Sequence, residues 1–316
     1  MEAKFGITYL GGKNSIAADI VSCLPAATHF IDLFCGGCGI THAAILSGKY
    51  KTFTINDIDS GMPKLFRDAI MGKYQNENRW ISRSDFIKNK DKDAYIRTCW
   101  SFGNRKDSYL YGREIEPWKR AMHAVLLFDD FSFFDAMGID FGTRTAGGDR
   151  YFFKKRVAQT HLDAYKRWIL SHCFISKGGG AFNASLGNLK HMQSLERLRR
   201  LQSLERLQRL DVVKRLNILG KSYDQVQIPD DSVVYCDPPY RGFTGYGLEF
   251  DHDKFYRWCQ TRSFPVFVSE YNMPQGFSPI YELPKRQLLS GGCGKLVIEK
   301  LFVQERFANQ YKRSLF

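Results

Sequence analysis

Asp237-Pro238-Pro239-Tyr240 closes the apolar run Ser232-Val233-Val234-Tyr235-Cys236 and is the segment with the most chemistry in it. The two prolines fix the backbone beyond the run and leave carbonyls without competing local donors. An aspartate oxygen and a rigid carbonyl can then each accept one hydrogen of an amine, while Tyr240 offers a flat face to a base. A proline turn that only caps a strand is common for Asp-Pro alone, but much less so with both prolines and an aromatic. A second segment, Asp32-Leu33-Phe34-Cys35-Gly36-Gly37-Cys38-Gly39, sits where a strand gives way to a helix. Glycines there let backbone approach a ligand closely, and the helix start offers free amides. Asp57 stands 18 residues past Gly39 at the end of the next short run. An acid at that place binds the ribose hydroxyls of a nucleoside cofactor. The bland alternatives are a tight structural turn and a helix cap at Asp57.

Cys35 and Cys38 form a Cys-x-x-Cys. A structural zinc needs a second ligand pair, and the sequence has neither a second Cys-x-x-Cys nor a close histidine pair. A redox site would waste the glycine pattern, so no metal site is expected. The eight cysteines, scattered through a chain without a secretory signal core, are expected to be reduced and mostly buried.

The elements that must position these groups read as α/β. His29 to Phe34 is a buried strand, Ile40 to Leu46 a helix packing on it, and Thr52 to Ile55 a second strand ending at Asn56-Asp57. Strand, glycine turn, helix and strand form the βαβ unit that opens a parallel sheet. From about Arg67 to Lys190 aromatic and charged residues mix (Trp80, Trp100, Trp118, Phe131) without strand alternation, which reads as a mainly helical insertion. Gln193 to Leu201 is nearly repeated by Gln202 to Leu210, with leucine at every third position. A spacing of three drifts around a helix, so this reads as a locally duplicated helix and not a solenoid. Strands return after Ile218, with Ser232 to Cys236, Pro265 to Ser269 and Lys295 to Val303, the last preceded by a turn at Ser290 to Gly294. The expected division is a catalytic unit of residues 1–66 and 205–316, interrupted by an inserted unit of residues 67–204.

The chain of 316 residues carries Lys+Arg 46 against Asp+Glu 33, a formal charge of +13, which suggests a polyanionic partner. No apolar run reaches the length of a membrane span, and the start Met1 to Gly6 has no signal-peptide core, so a cytoplasmic protein is expected. Nothing in the sequence points to an obligate protein partner.

Taken jointly, these segments resemble the Dam-like DNA adenine methyltransferases, particularly relatives carried by phages and mobile elements. Tyr9-Leu10-Gly11-Gly12-Lys13 resembles the first signature of that family and Asp32 to Gly39 its cofactor loop. Gly180-Ala181-Phe182-Asn183 with Gly187 is similar to its target-recognition hairpin, Asp237 to Tyr240 to its catalytic tetrad, and Ser269 to Asn272 to a downstream strand motif. Departures are the cysteines of the loop, Ala184-Ser185 where the family favours Val-Pro, and Ser222 where it usually has an aspartate before Tyr223. The resemblance implies a Rossmann-like fold that binds S-adenosylmethionine and methylates the N6 amine of adenine in double-stranded DNA, in a bacterial cell or a phage-infected host. It implies that the base is flipped out, with Asp237 and the Pro238 carbonyl as acceptors, Pro239 holding the turn and Tyr240 stacking on the base. It further implies that Lys13 lies near the cofactor carboxylate or the target base. Tyr9, Gly11, Gly12, Lys13, Asp32, Phe34, Cys35, Gly36, Gly37 and Asp237 would surround the cofactor, Asp57 its ribose, and Ser222 and Tyr223 its adenine.

The stretch Ile175 to Lys190 is expected at the DNA. Lys177 and Lys190 flank a tip containing Gly179 and would touch phosphates, while the amide of Asn183 would read a base edge. Two other readings stay open at this point. A cytosine-N4 enzyme would more often carry serine in place of Asp237, and a non-catalytic basic DNA-binding protein would have no use for the acid or the glycine loop.

Overall fold

The computed structural model describes residues 5–7, 9, 11–75, 77–102, 107–128, 130–136, 207, 212–241, 250–287 and 295–311. Its strands are β1 (His29–Asp32), β2 (Thr52–Asn56), β3 (Leu216–Leu219), β4 (Ser232–Cys236), β5 (Val266–Glu270), β6 (Phe277–Gln287) and β7 (Lys295–Gln304). They form one sheet in the order β3-β2-β1-β4-β5-β7-β6. The first five in that order are parallel, β7 runs antiparallel to β5, and β6 antiparallel to β7. This is the Rossmann-like sheet that the sequence predicts.

The central strands are apolar on both sides because both sides are covered. Phe30, Phe53, Ile55, Tyr235 and Phe267 pack on one face, against α1 (Ala17–Cys23), α2 (Gly39–Ser47) and α3 (Gly61–Ile70). Ile31, Val234, Cys236, Val266 and Val268 pack on the other. The strand order reverses between β1 and β4, whose carboxyl ends therefore border a crevice, the usual ligand site of such sheets. Asp32 is level with Tyr235 in the β1–β4 register, so the glycine loop and the Asp-Pro-Pro-Tyr turn leave the sheet side by side.

Residues 67–136, where described, hold the rest of α3 and then α4 (Arg83–Asn89), α5 (Ala94–Cys99), α6 (Glu116–Phe128) and α7 (Ser132–Ala136). Ser82 and Asp93 start α4 and α5 by accepting hydrogen bonds from backbone amides of the first turn. Their centre is aromatic, with Trp80 stacked on Tyr111 at 5.7 Å and Trp100 on Tyr109 at 6.3 Å. α3 runs without a break across residue 66, and its Leu65, Phe66, Ala69 and Ile70 share one apolar cluster with Phe53 and Trp100. Of the leucine repeat only Leu207 is described, and it is buried in that cluster. Asp251 caps α8 (His252–Thr261), whose Phe255, Tyr256 and Cys259 cover the second face of the sheet, and α9 (Glu305–Tyr311) follows β7. Among the described residues no helix is long and apolar enough to cross a membrane.

Some elements differ from the sequence reading. β1 stops at Asp32, two residues earlier than expected. The Leu33 amide still donates to Tyr235 O of β4 (3.0 Å), but the Cys35 amide donates to Asn56 O of β2 (2.9 Å), so the chain is already crossing the sheet end. α1, β6 and the first half of β3 were not anticipated.

Candidate active site

Lys13 is brought to the sheet by a turn in which the Gly12 amide donates to Tyr9 O (3.1 Å), with Gly11 at φ 77°, a conformation suited to glycine. The segment before it lies on the glycine loop, where the Ile7 amide donates to Gly37 O (2.7 Å) and the Gly6 amide to His42 Nδ1 (2.9 Å). A Cβ on Gly37 would lie 2.4 Å from Ile7 O, and one on Gly36 would lie 3.0 Å from the Tyr9 ring. The sequence reading assigned these glycines to close approach of a ligand. At Gly37 the group that approaches is the chain's own N-terminal segment.

Anchored in this way, Lys13 is 3% exposed and its ammonium donates to Asp237 Oδ1 at 2.8 Å. It also donates to the Tyr240 hydroxyl, lies 4.5 Å from that ring's centre, and pairs with Glu299 Oε1 of β7 at 3.4 Å. The Tyr240 hydroxyl in turn donates to Glu299 Oε1. Burial alone would lower the Lys13 pKa, but Asp237 and Glu299 hold it above the usual lysine range. Burial also raises the Tyr240 phenol well above the ordinary tyrosine range, helped by the Asp237 and Glu299 charges. The Tyr271 ring meets Tyr240 edge to face at 4.7 Å. His252 Nε2 stands 2.8 Å from the Pro239 carbonyl and ties the far end of the turn to α8, while Pro238 is buried. Glu270, at the end of β5, is 3% exposed; burial, with Asp237 and Glu299 close by, raises its carboxyl to about 7.

Beside this cluster lies a second group of polar residues. Asp32 is 1% exposed, Thr41 donates to its Oδ2 at 2.7 Å, and its Oδ1 has no hydrogen-bond partner among the described residues. Burial and the charges of Asp237 and Asp57 raise its carboxyl to about 7, against the hydrogen bond from Thr41. Asp57 Oδ2 accepts the Gly36 amide at 2.8 Å and Oδ1 the Asp59 amide at 2.9 Å, so it laces the glycine loop to the end of β2. Tyr223, in a short 3-10 turn that Ser222 starts, packs against Phe34 (5.5 Å), Phe255 (5.2 Å) and Trp258 (5.3 Å). Its buried hydroxyl has no partner among the described residues. Cys35 and Cys38 are free and buried, and burial raises both thiols.

The structure thus brings Tyr9, Gly11, Gly12, Lys13, Asp32, Phe34, Cys35, Gly36, Gly37, Asp57, Ser222, Tyr223 and Asp237 to Tyr240 to one end of the sheet. Lys177, Gly179, Asn183 and Lys190 lie outside the described residues. The sequence reading missed Asn56, whose side-chain amide donates to Leu33 O (3.0 Å) and Lys221 O (2.9 Å) and whose Oδ1 accepts the Lys221 amide. Its one signal was a polar residue ending an apolar run beside Asp57. Glu299 was missed too, because a lone acid in a late strand reads as solvated.

One buried lysine between two carboxylates, next to a rigid Asp-Pro-Pro-Tyr turn and an apolar shelf, can bind an amine and a flat heterocycle. The chain matches no curated relative. A family model, the D12 class N6 adenine-specific DNA methyltransferase, matches residues 9–261, from Tyr9 through the glycine loop and the tetrad to the end of α8. The chain therefore belongs to the D12 class of N6 adenine-specific DNA methyltransferases.

Proposed function

We propose that the methyl donor is S-adenosylmethionine, that the adenine is rotated out of double-stranded DNA, and that Asp237 and the Pro238 carbonyl receive its amine. The observation that carries this reading is the Lys13–Asp237–Tyr240 cluster placed next to the orphaned Asp32 oxygen at the sheet's reversal point. The residues fit the donor. Asp32 Oδ1 is a buried acceptor for an ammonium, Asp57 suits ribose hydroxyls, and Phe34 and Tyr223 supply an aromatic shelf. Ile58, next to Asp57 and 64% exposed, adds apolar cover. Bound there, the donor would supply a sulfonium methyl, which needs no further activation by the protein.

The chain's own task is the amine. Its lone pair is delocalised into the ring, and two fixed acceptors, one on each hydrogen, let the nitrogen become pyramidal and aim that pair. The fixed turn provides positioning, which supplies most of the acceleration. Asp237 need not be a strong base, since the proton becomes acidic only after transfer. Tyr240 would stack on the extruded base, offsetting an unstacking cost of about a few kcal/mol. Lys177, Lys190 and Asn183 would contribute phosphate and base contacts within the inserted recognition unit of residues 67–204. Expression in a methylation-free host, followed by single-molecule sequencing of its DNA, tests the reading and shows the site. Unmodified adenine in that DNA would refute it.

The assignment of Asp32 carries a pH dependence. With its carboxyl near 7 in the free protein, a cationic ligand must expel a proton to bind at lower pH. Affinity for S-adenosylmethionine is expected to weaken by up to about tenfold per unit as pH falls below 7. Calorimetry at pH 5.5, 6.5 and 7.5 measures this, and Asp32→Asn should flatten the curve. A flat wild-type curve would take Asp32 away from the ammonium.

A further inference from the structure

We propose that Glu299 is a positioning residue for methyl transfer, acting through Lys13. It shares the ammonium with Asp237 and ties it to Tyr240, so that Lys13 does not neutralise the acceptor on its own. The proposal rests on the reading of Asp237 as the acceptor of the adenine amine. Glu299 lies on β7, beyond the matched residues 9–261, and is fully buried.

A single oxygen, Glu299 Oε1, faces the Lys13 ammonium at 3.4 Å and accepts the Tyr240 hydroxyl. Lys13 donates to that same hydroxyl and, at 2.8 Å, to Asp237 Oδ1. Lysine, tyrosine and glutamate thus close a ring of contacts, with Asp237 attached through the lysine. The three segments involved are the turn before α1, the turn after β4, and β7. β7 reaches this place because it runs antiparallel beside β5, with Glu270 level with Lys300. Glu299 is the next residue along, past the end of β5.

The charge balance gives the contact its consequence. In the transfer the N6 lone pair forms the new bond to the methyl carbon, and the pair of the broken S–C bond stays on sulfur. The amine carries the positive charge until it gives up one proton, which Asp237 accepts. A lone ammonium on Asp237 would cancel the negative charge that this step uses. Two carboxylates around one ammonium leave negative charge beside the amine, where it favours the transition state. Glu299 also gives Lys13 a second partner when the amine competes for Asp237. The groups facing Lys13 are Asp237, Glu299 and Tyr240, with Glu270 and Tyr271 near enough to exchange electrostatic influence with it.

Glu299→Gln keeps the shape and the accepting oxygen and removes the charge. The single-turnover rate is expected to fall about 10- to 100-fold, with KM for donor and DNA within about twofold of wild type. Lys13 should lose its proton at lower pH in E299Q, because it loses one of the charges that keep it protonated. Without any substrate, acylation of Lys13 by an amine-reactive ester, followed by mass spectrometry at alkaline pH, should be faster in E299Q than in wild type. In a Lys13→Met background, adding E299Q should cost at most about twofold more, since contacting residues are not additive. That double variant holds no buried ammonium at this place, so it serves if E299Q alone folds poorly.

A wild-type rate together with unchanged Lys13 labelling would overturn the proposal. So would equal losses from E299Q with and without Lys13, which mark a purely structural role. If wild-type protein failed to methylate adenine, the function reading would fall. The labelling experiment would still decide whether Glu299 controls Lys13.

Discussion

Asp237→Ala is expected to lower the rate of methyl transfer by at least about a hundredfold, the scale of losing one preorganised polar contact in a transition state. Three features of the site argue for so large an effect from one side chain. Asp237 begins a turn whose backbone is set by two prolines, so its oxygen is held in a fixed place. It is the member of the cluster that joins Lys13 to the end of β4. It also leaves the sheet beside the glycine loop, where donor and acceptor must meet. The substitution leaves Lys13 with Glu299 and the Tyr240 hydroxyl, so the buried ammonium keeps partners and the fold should survive. Donor and DNA affinities should therefore stay near wild type while the chemical step fails. Single-turnover methylation measured beside calorimetric donor binding checks this. Retention of more than about one part in a hundred of the rate would remove Asp237 from the acceptor role. Asp237→Asn separates charge from geometry, since its amide oxygen can still accept one hydrogen. It should fall between wild type and alanine.

Gly37→Ala is expected to destabilise the protein by about 2–4 kcal/mol, the range of an overpacked site with little room to relax. The added Cβ would sit 2.4 Å from Ile7 O and 2.7 Å from Tyr9 Cβ, and neither is the free end of a flexible side chain. To make room, the N-terminal segment must lift off the loop and break the hydrogen bond from the Ile7 amide to Gly37 O. Because that segment leads directly to Lys13, activity should fall further than stability alone requires. Gly48→Ala is the control. It changes a left-handed residue at the end of α2, φ 68°, where a Cβ would meet nothing within 4 Å. It should cost only the conformational term of about 1–2 kcal/mol and leave methylation intact. Thermal unfolding of both variants, with methylation assayed well below the transition, makes the comparison. A Gly37→Ala protein that melts and methylates like wild type would show that the N-terminal segment is not locked to the loop.

The sequence by itself determined the strands that carry the chemistry and the groups at their ends. Phe30-Ile31 and Val233-Val234 are apolar on successive residues, as central parallel strands covered on both faces must be, and this marked β1 and β4. Glycine and proline punctuate their ends, which places Asp32 to Gly37 and Asp237 to Tyr240 at strand ends from sequence alone. Edge strands gave no such signal. β6 contains Pro279 and Pro284, which argue against a strand inside a sheet and are tolerated only because β6 lies at its edge. β3, at the opposite edge, is short and half-exposed. Tertiary structure alone decided what each polar group touches. Gly37 reads in sequence as room for a ligand, but the fold puts the backbone of Ile7 there. Asp57 reads as an acid for ribose hydroxyls or a helix cap, and the fold shows both of its oxygens accepting backbone amides of the glycine loop and the β2 end. Glu299 reads as a solvated residue, and only the antiparallel insertion of β7 between β5 and β6 buries it against Lys13. The physical reason is one of range. Local apolar pattern and turn chemistry act over a few residues, whereas a buried charge is set by partners from distant parts of the chain, which only the assembled sheet brings together.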